Sequence, residues 1–288
     1  MRRRLFLAGG GALAGLGLWR ARGWAAERLG LDPNADFALT GQLTQGGWAR
    51  GKAPAGTRQL AFNGRQVRLA FDGAFLIAFD RDFGPRGELL AELHDGGASR
   101  GSFTISPRAW QIERIPIGPR PGTPPNEEYA RRRTAETARI NAARAIDHQI
   151  DGWRQKFIYP AFGRISGRFG SQRIYNGTPG SYHSGMDIAT GASGTPFVAP
   201  ADGVVILAAA DSFSLEGRLL MIDHGMGLNS AFLHCSSHAV KEGDTVRQGQ
   251  FIGRIGATGR ATGPHLHWSI KWREARLDPL LFVGPMPG

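Results

Sequence analysis

Between Leu60 and Phe79 apolar and polar residues alternate, and the alternation is broken twice by pairs that reverse a chain. Leu60 and Phe62 precede Asn63-Gly64; Val67, Leu69 and Phe71 precede Asp72-Gly73; Phe75, Ile77 and Phe79 follow. Period-two alternation lays one face of an extended segment on a core, and Asn-Gly and Asp-Gly favour the tight turns of hairpins, so this stretch is committed to antiparallel β-structure. Short apolar runs at 89–93 and 103–105 continue the pattern. Residues 27–112 are therefore predicted to form a small immunoglobulin-like β module. This module contains no cluster of His, Asp or Glu, and His94 reads as a surface or structural residue.

Residues 117–125, Ile-Gly-Pro-Arg-Pro-Gly-Thr-Pro-Pro, cannot continue a strand or a helix and mark a boundary. A helix is predicted next, capped by Thr123 or Asn126, with Ile140, Ala143, Ile146, Ile150 and Trp153 recurring at steps of three or four as one apolar stripe. Arg131, Arg132 and Arg133 are balanced by Glu127, Glu128 and Glu136, which reads as a solvated face. Segment 113–156 is thus a Pro/Gly linker and connector helix. No candidate ligand precedes it, so the first module is predicted to be separable from the chemistry.

The N-terminus has the order of an export signal. Arg2-Arg3-Arg4 is followed by a 14-residue apolar stretch, Leu5 to Leu18, and then by small residues, with cleavage expected after Ala25. Arg3-Arg4-Leu5-Phe6-Leu7 also resembles a twin-arginine signal. The stretch holds five glycines and falls short of the ~20 residues a span needs, so no lasting membrane helix is expected. Residues 1–25 carry five arginines and no acid, and their removal lowers the formal charge from +11 to +6. A mildly basic protein is drawn to anionic envelope polymers, and no run of Lys or Arg interleaved with aromatics points to nucleic acid. The single cysteine, Cys235, excludes an internal disulfide and reads as a small buried hydrophobe facing away from the ring of His234.

From residue 157 to 288 the pattern is again antiparallel β. The clearest strands are 204–208, 218–223, 229–234 and 251–255, and His224-Gly225-Met226-Gly227 closes a hairpin between the second and third. Two stretches here concentrate the chemistry: His183-Ser184-Gly185-Met186-Asp187 and His265-Leu266-His267. Three imidazoles and a carboxylate are a ligand set that zinc prefers. On a strand, His265 and His267 share a face about 6.6 Å apart, which suits one ring on a metal and its neighbour beside it as a base.

The flanks make the pattern specific. His183-Ser-Gly-Met-Asp-Ile188 is followed in order by Ala199-Pro-Ala-Asp-Gly-Val-Val205, Ile222-Asp-His-Gly225, Gly249-Gln-Phe-Ile-Gly253, and Gly256-Ala-Thr-Gly-Arg-Ala-Thr-Gly-Pro-His-Leu-His-Trp268. Over roughly residues 157–281 the chain resembles the lysostaphin/LytM-type (M23 family) zinc metalloendopeptidases, which cut peptidoglycan cross-links. The resemblance implies an antiparallel β catalytic domain of the LytM type at 157–288 and Zn2+ held by His183, Asp187 and His267. It also implies that His265 and His234 are the catalytic histidines, one accepting a proton and the other steadying the oxyanion or protonating the leaving amine. The family often has Tyr two residues before the second histidine, where this chain has Phe232. Arg173, Tyr175 and Asn176 lie in a loop resembling a subset of the family, and read either as contacts to stem peptides or as structural. His148, His224 and His238 read as structural, with His224 fixing its turn.

The implied activity is hydrolysis of peptide cross-links in peptidoglycan by an exported, periplasmic or cell-envelope enzyme. Its substrates are stem peptides, with D-alanine to diaminopimelate bonds expected rather than glycine bridges. The first module is a candidate site for a cell-envelope protein partner. The alternative is a non-catalytic LytM-type regulator that activates a cell-wall amidase. Thermolysin-like proteases are excluded because His-Glu-x-x-His does not occur, and a zinc D,D-peptidase of the D-alanyl-D-alanine type ranks below the endopeptidase reading because Glu-x-x-His does not occur.

Overall fold

The computed structural model describes residues 37–116 and 126–286; the expected export signal and the Pro/Gly stretch 117–125 lie outside the described residues. The chain is mainly β. Its first eight strands are β1 (Thr40–Gly41), β2 (Trp48–Lys52), β3 (Thr57–Phe62), β4 (Arg65–Val67), β5 (Ala74–Ala78), β6 (Arg86–Leu93), β7 (Ala98–Thr104) and β8 (Ile112–Ile115). β1 to β7 form two small antiparallel sheets, ordered β1-β2-β5 and β4-β3-β6-β7. Asn63-Gly64, with both residues at positive φ, closes the β3–β4 hairpin as expected. Asp72-Gly73 does something else: β5 pairs with β2 rather than β4, so this turn carries the chain from one sheet to the other and leaves Phe71 fully exposed at its tip. Between the sheets pack Leu60, Phe62, Phe75, Ile77, Phe79 and Phe103.

Helix α1 spans Glu127–Arg144 and is capped by Asn126, whose side chain accepts from the backbone N–H of Tyr129 at 2.8 Å. It is shorter than the apolar stripe suggested. Beyond Ala145 other parts of the fold claim the chain: Asp147 Oδ1 accepts from the N–H of Gly227, and the N–H of His148 donates to the buried Asp223 carboxylate. Ile146 is exposed, and Trp153 reaches the core from a 3-10 turn, Gly152–Arg154. Nor is the arginine face simply solvated. Arg133 forks onto Glu216 at 2.6 and 2.7 Å, while the buried Glu136 accepts from Arg132, Arg133 and Ser214. Among the described residues no helix is long and apolar enough to cross a membrane.

The remaining strands are β9 (Arg164–Gly167), β10 (Gln172–Tyr175), β11 (Thr178–Pro179), β12 (Met186–Ala189), β13 (Pro196–Val198), β14 (Gly203–Ala208), β15 (Arg218–Asp223), β16 (Leu228–His238), β17 (Thr245–Val246), β18 (Phe251–Ile255), β19 (Leu266–Trp272) and β20 (Ala275–Leu277), followed by α2 (Leu280–Val283). One large sheet runs β17-β14-β15-β16-β19-β12-β9, with β18 on the far end of β16 and β20 beside β19. One face of its centre, with Leu220, Phe232, Trp268 and Ile270, enters the main core. The other face, with Met221, Ala231 and Leu233, meets Ile140 and Ala143 of α1.

The main core does not stop at the boundary marked by 117–125. Trp48 packs on Phe282 with ring centroids 5.2 Å apart, and Arg50 donates to the carbonyls of Arg154 and Gln155. Arg81 donates to Gly170 O, and Arg108 pairs with the buried Asp278 at 2.8 Å. β8, the strand that leaves the first module, pairs in parallel with β10, whose other edge carries β11.

Candidate metal centre

All five residues singled out in the sequence converge on the α1 side of the sheet, on the part of that face beyond the helix, where His267 lies opposite Leu233. Asp187 on β12 lies directly opposite His267 on β19, so the two side chains share that face. His183 arrives from the loop before β12, where its N–H donates to Ser171 O and its carbonyl accepts from Gly170 N–H. His183 Nε2 is 3.0 Å from Asp187 Oδ1 and 3.1 Å from His267 Nδ1, and His267 Nδ1 is 2.8 Å from Asp187 Oδ1.

That triangle fits a metal. Donors held about 2.0–2.1 Å from a tetrahedral zinc lie roughly 3.3 Å from one another, only a few tenths of an ångström beyond the separations found. Asp187 and His267 also suit the ion in charge. Burial opposes ionisation of Asp187, but hydrogen bonds from His183 and His267 outweigh it and hold the carboxyl far below the usual carboxylate range. Burial pushes His267 down, toward the neutral form. His183 is also pushed down by burial, but its hydrogen bond to Asp187 prevails and raises it.

Two glycines leave room for this arrangement. A Cβ on Gly185 would lie 2.6 Å from both His267 Nε2 and Trp268 O, and a Cβ on Gly167 would run into the Asp187 carboxylate. Gly185→Ala is therefore expected to tilt the His267 ring, weaken zinc binding at least about tenfold and cost about 1–3 kcal/mol of stability. Metal titration and urea denaturation check this; unchanged zinc affinity would show that the ring has space to spare.

His265 and His234 flank the triangle. His265 precedes β19, bridged to Gly256, and its Nε2 is 3.9 Å from Asp187 Oδ1. Its ring centroid is 4.9 Å from that of His234, which is 6.4 Å from that of His267. In a regular strand His234 would face the main core with Phe232. Instead β16 bulges: the register against β15 passes from Leu220↔Phe232 to Arg218↔Cys235, and His234 takes a positive φ of 64°. The bulge turns the imidazole onto the opposite face, among the other histidines. Cys235 returns to the main core, where burial pushes its thiol up to about 12. Phe232 packs on Phe197 in that core, so the position where relatives often carry Tyr does not reach the site here.

Three of the rings are oriented alike. Nδ1–H of His183 donates to Arg168 O, that of His234 to Thr258 O and that of His265 to Gly263 O. A carbonyl can only accept, so each bond places a proton on Nδ1; at His234 and His265 this leaves an Nε2 lone pair, and at His183 a bound metal would replace the Nε2 proton shared with Asp187. Burial pushes His234 down to about 4, so it rests neutral.

The site opens into a cleft of about 1180 Å³. Gln111, Ile112 and Glu113 form part of its wall together with Gln172, Arg173, Tyr175, Tyr182, Arg260 and Thr262. The cleft residues contributed by the β8 segment are the site component that sequence reading missed, for no motif marks them. Arg173 pairs with Glu113 at 2.7 Å, whereas Asn176, at positive φ beside Gly177, shapes the β10–β11 turn. His224 lies away from the site, buried between Asp202 O and Ser230 Oγ, where it fixes its hairpin. His148 binds Asp223 at 2.8 Å.

Residues 181–279 match the family described as Peptidase family M23. Over 98 residues the chain is 39% identical to an uncharacterized metalloprotease of Haemophilus influenzae, covering 34% of this chain and 20% of that protein. Over 133 residues it is 37% identical to the peptidoglycan DD-endopeptidase ShyA of Vibrio cholerae, covering 46% of this chain and 30% of that protein. The chain thus spans less than a third of the length of these curated relatives. A solved structure of a peptidase M23 from Pseudomonas aeruginosa superposes with a TM-score of 0.63 at 27% identity, over 85% of this chain and 96% of that one. All five converging residues fall within the matched segment, and the chain carries a metallopeptidase domain of family M23.

Proposed function

We propose that this protein is a zinc endopeptidase that hydrolyses peptide cross-links in peptidoglycan, working in the periplasm or cell envelope after export. The observation that carries the reading is the joint geometry: a His-Asp-His triangle with zinc-like spacing beside two imidazoles whose Nε2 lone pairs are free. His183, Asp187 and His267 would hold the metal. Three protein ligands leave a position open, as in catalytic rather than structural zinc sites. Bound there, zinc supplies Lewis acidity toward the scissile carbonyl and makes water a nucleophile near neutral pH.

The chain's own groups supply the rest. His265, nearer to Asp187, is placed to take a proton at Nε2, and its bond to Gly263 O stabilises the imidazolium so formed. His234, neutral at rest, faces it from the bulge with ring centroids 4.9 Å apart and is placed to receive the proton that His265 has taken and hand it to the leaving amine. The cleft of about 1180 Å³ reaches the proposed ligands His183 and Asp187. The names of relatives such as ShyA support stem peptides as the substrate. The first module is read as immunoglobulin-like, a reading supported by the facing sheets β1-β2-β5 and β4-β3-β6-β7.

Removing a first ligand tests the assignment. His183→Ala is expected to drop zinc from about one per chain to near zero after dialysis, measured by plasma mass spectrometry, because two protein ligands do not retain the ion. Full occupancy in the variant would show the ligand set to be wrong. Cross-linked muropeptides incubated with the zinc-loaded wild type should yield uncross-linked products by mass; loaded protein that cuts none would favour the amidase-regulator reading.

A further inference from the structure

The two arginines of the cleft wall differ in what they meet. Arg173 is neutralised by Glu113, with Nε 2.7 Å from Oε2. Arg260 is exposed and, among the described residues, its guanidinium makes no hydrogen bond or ion pair. Its backbone, by contrast, is firmly held. Arg260 N–H donates to Leu215 O, and the preceding Gly259 sits at positive φ against the backbone of Gly217 with no room for a Cβ. One residue earlier, Thr258 accepts from the Arg218 N–H at Oγ1, donates to Cys235 O and accepts from His234 Nδ1 at its carbonyl. The loop bearing Arg260 is therefore tied to the bulge that aims His234, and five residues later it supplies His265.

A fixed loop with an unpaired guanidinium, in the same cleft as a dication's ligands, is a receptor for anions. The planar fork of arginine matches a carboxylate in particular. We propose that Arg260 is a specificity-determining residue that binds a carboxylate of the substrate peptide, so that the cleft selects stem peptides with free carboxylates over amidated ones. The proposal rests on the endopeptidase reading and gives its substrate a required charge.

The test is binding of an uncut stem tetrapeptide, with its carboxylates free or converted to carboxamides, to the zinc-loaded full-length protein by calorimetry. The wild type is expected to bind the free acid at least about tenfold more tightly than the carboxamide, the size of one charge-assisted contact. Arg260→Gln should bind both as weakly as the wild type binds the carboxamide, and Arg260→Lys should recover part of the preference. Zinc content should stay the same in all three proteins. Equal wild-type affinity for the two peptides, no binding of either, or a preference that survives in Arg260→Gln would each overturn the assignment. Muropeptide cleavage separates this from the broader reading: cleavage without acid preference refutes Arg260 alone, and acid-selective binding without cleavage refutes the endopeptidase alone.

Discussion

His265→Ala is expected to keep zinc near full occupancy and yet lower hydrolysis by the ~10²–10⁴-fold typical of losing a general acid or base. His267→Ala, two residues along, should lose metal and activity together. The difference follows from where each ring sits. His267 Nδ1 lies 2.8 Å from Asp187 Oδ1, inside the donor triangle, whereas His265 Nε2 is 3.9 Å from the same oxygen. Zinc content and initial rates on a defined cross-linked muropeptide, measured on the same preparations, decide it. Equal zinc loss in both variants, or near-normal cleavage by His265→Ala, would overturn this division of labour.

A chain shortened to begin at Gly152 is expected to lose stability on the order of several kcal/mol, because the deletion strips Trp48 from Phe282 and Ile140 and Ala143 from the sheet, and leaves buried polar groups without partners. Asp278 would lose Arg108, Gly170 O would lose Arg81, and β10 would become an open edge where β8 had paired. The full chain should unfold in one transition. Denaturant titration of both proteins checks this; a shortened chain with the midpoint of the full one would show that the first module merely rests on the second.

That expectation departs from the sequence pattern for a physical reason. Prolines and glycines at 117–125 mark where regular backbone must end, but they carry no information about what packs on what. Arg50, Arg81 and Arg108 look like ordinary surface charges in the sequence, and only the fold shows them capping carbonyls and a buried carboxylate of the other module. The antiparallel strands of the second module were legible because hairpin turns and alternation are local. The donor set was legible because its spacing and flanks are carried by short motifs. The helix end was not, since Asp147 and His148 are drawn off by tertiary partners at Gly227 and Asp223. The bulge at His234 was hidden as well: strict alternation would have sent that ring into the core.

The backbone at His234 sets stability against chemistry. A β-strand residue with a side chain costs roughly 1 kcal/mol or more to hold at positive φ, a conformation glycine adopts freely. A sequence tuned only for a durable sheet would therefore put glycine at 234, or drop the extra residue and let the strand run straight. Keeping an imidazole there means the fold tolerates a standing strain at the one place where a ring must cross from the inside of the sheet to the outside. Relaxing the backbone there with glycine would remove the imidazole together with the strain.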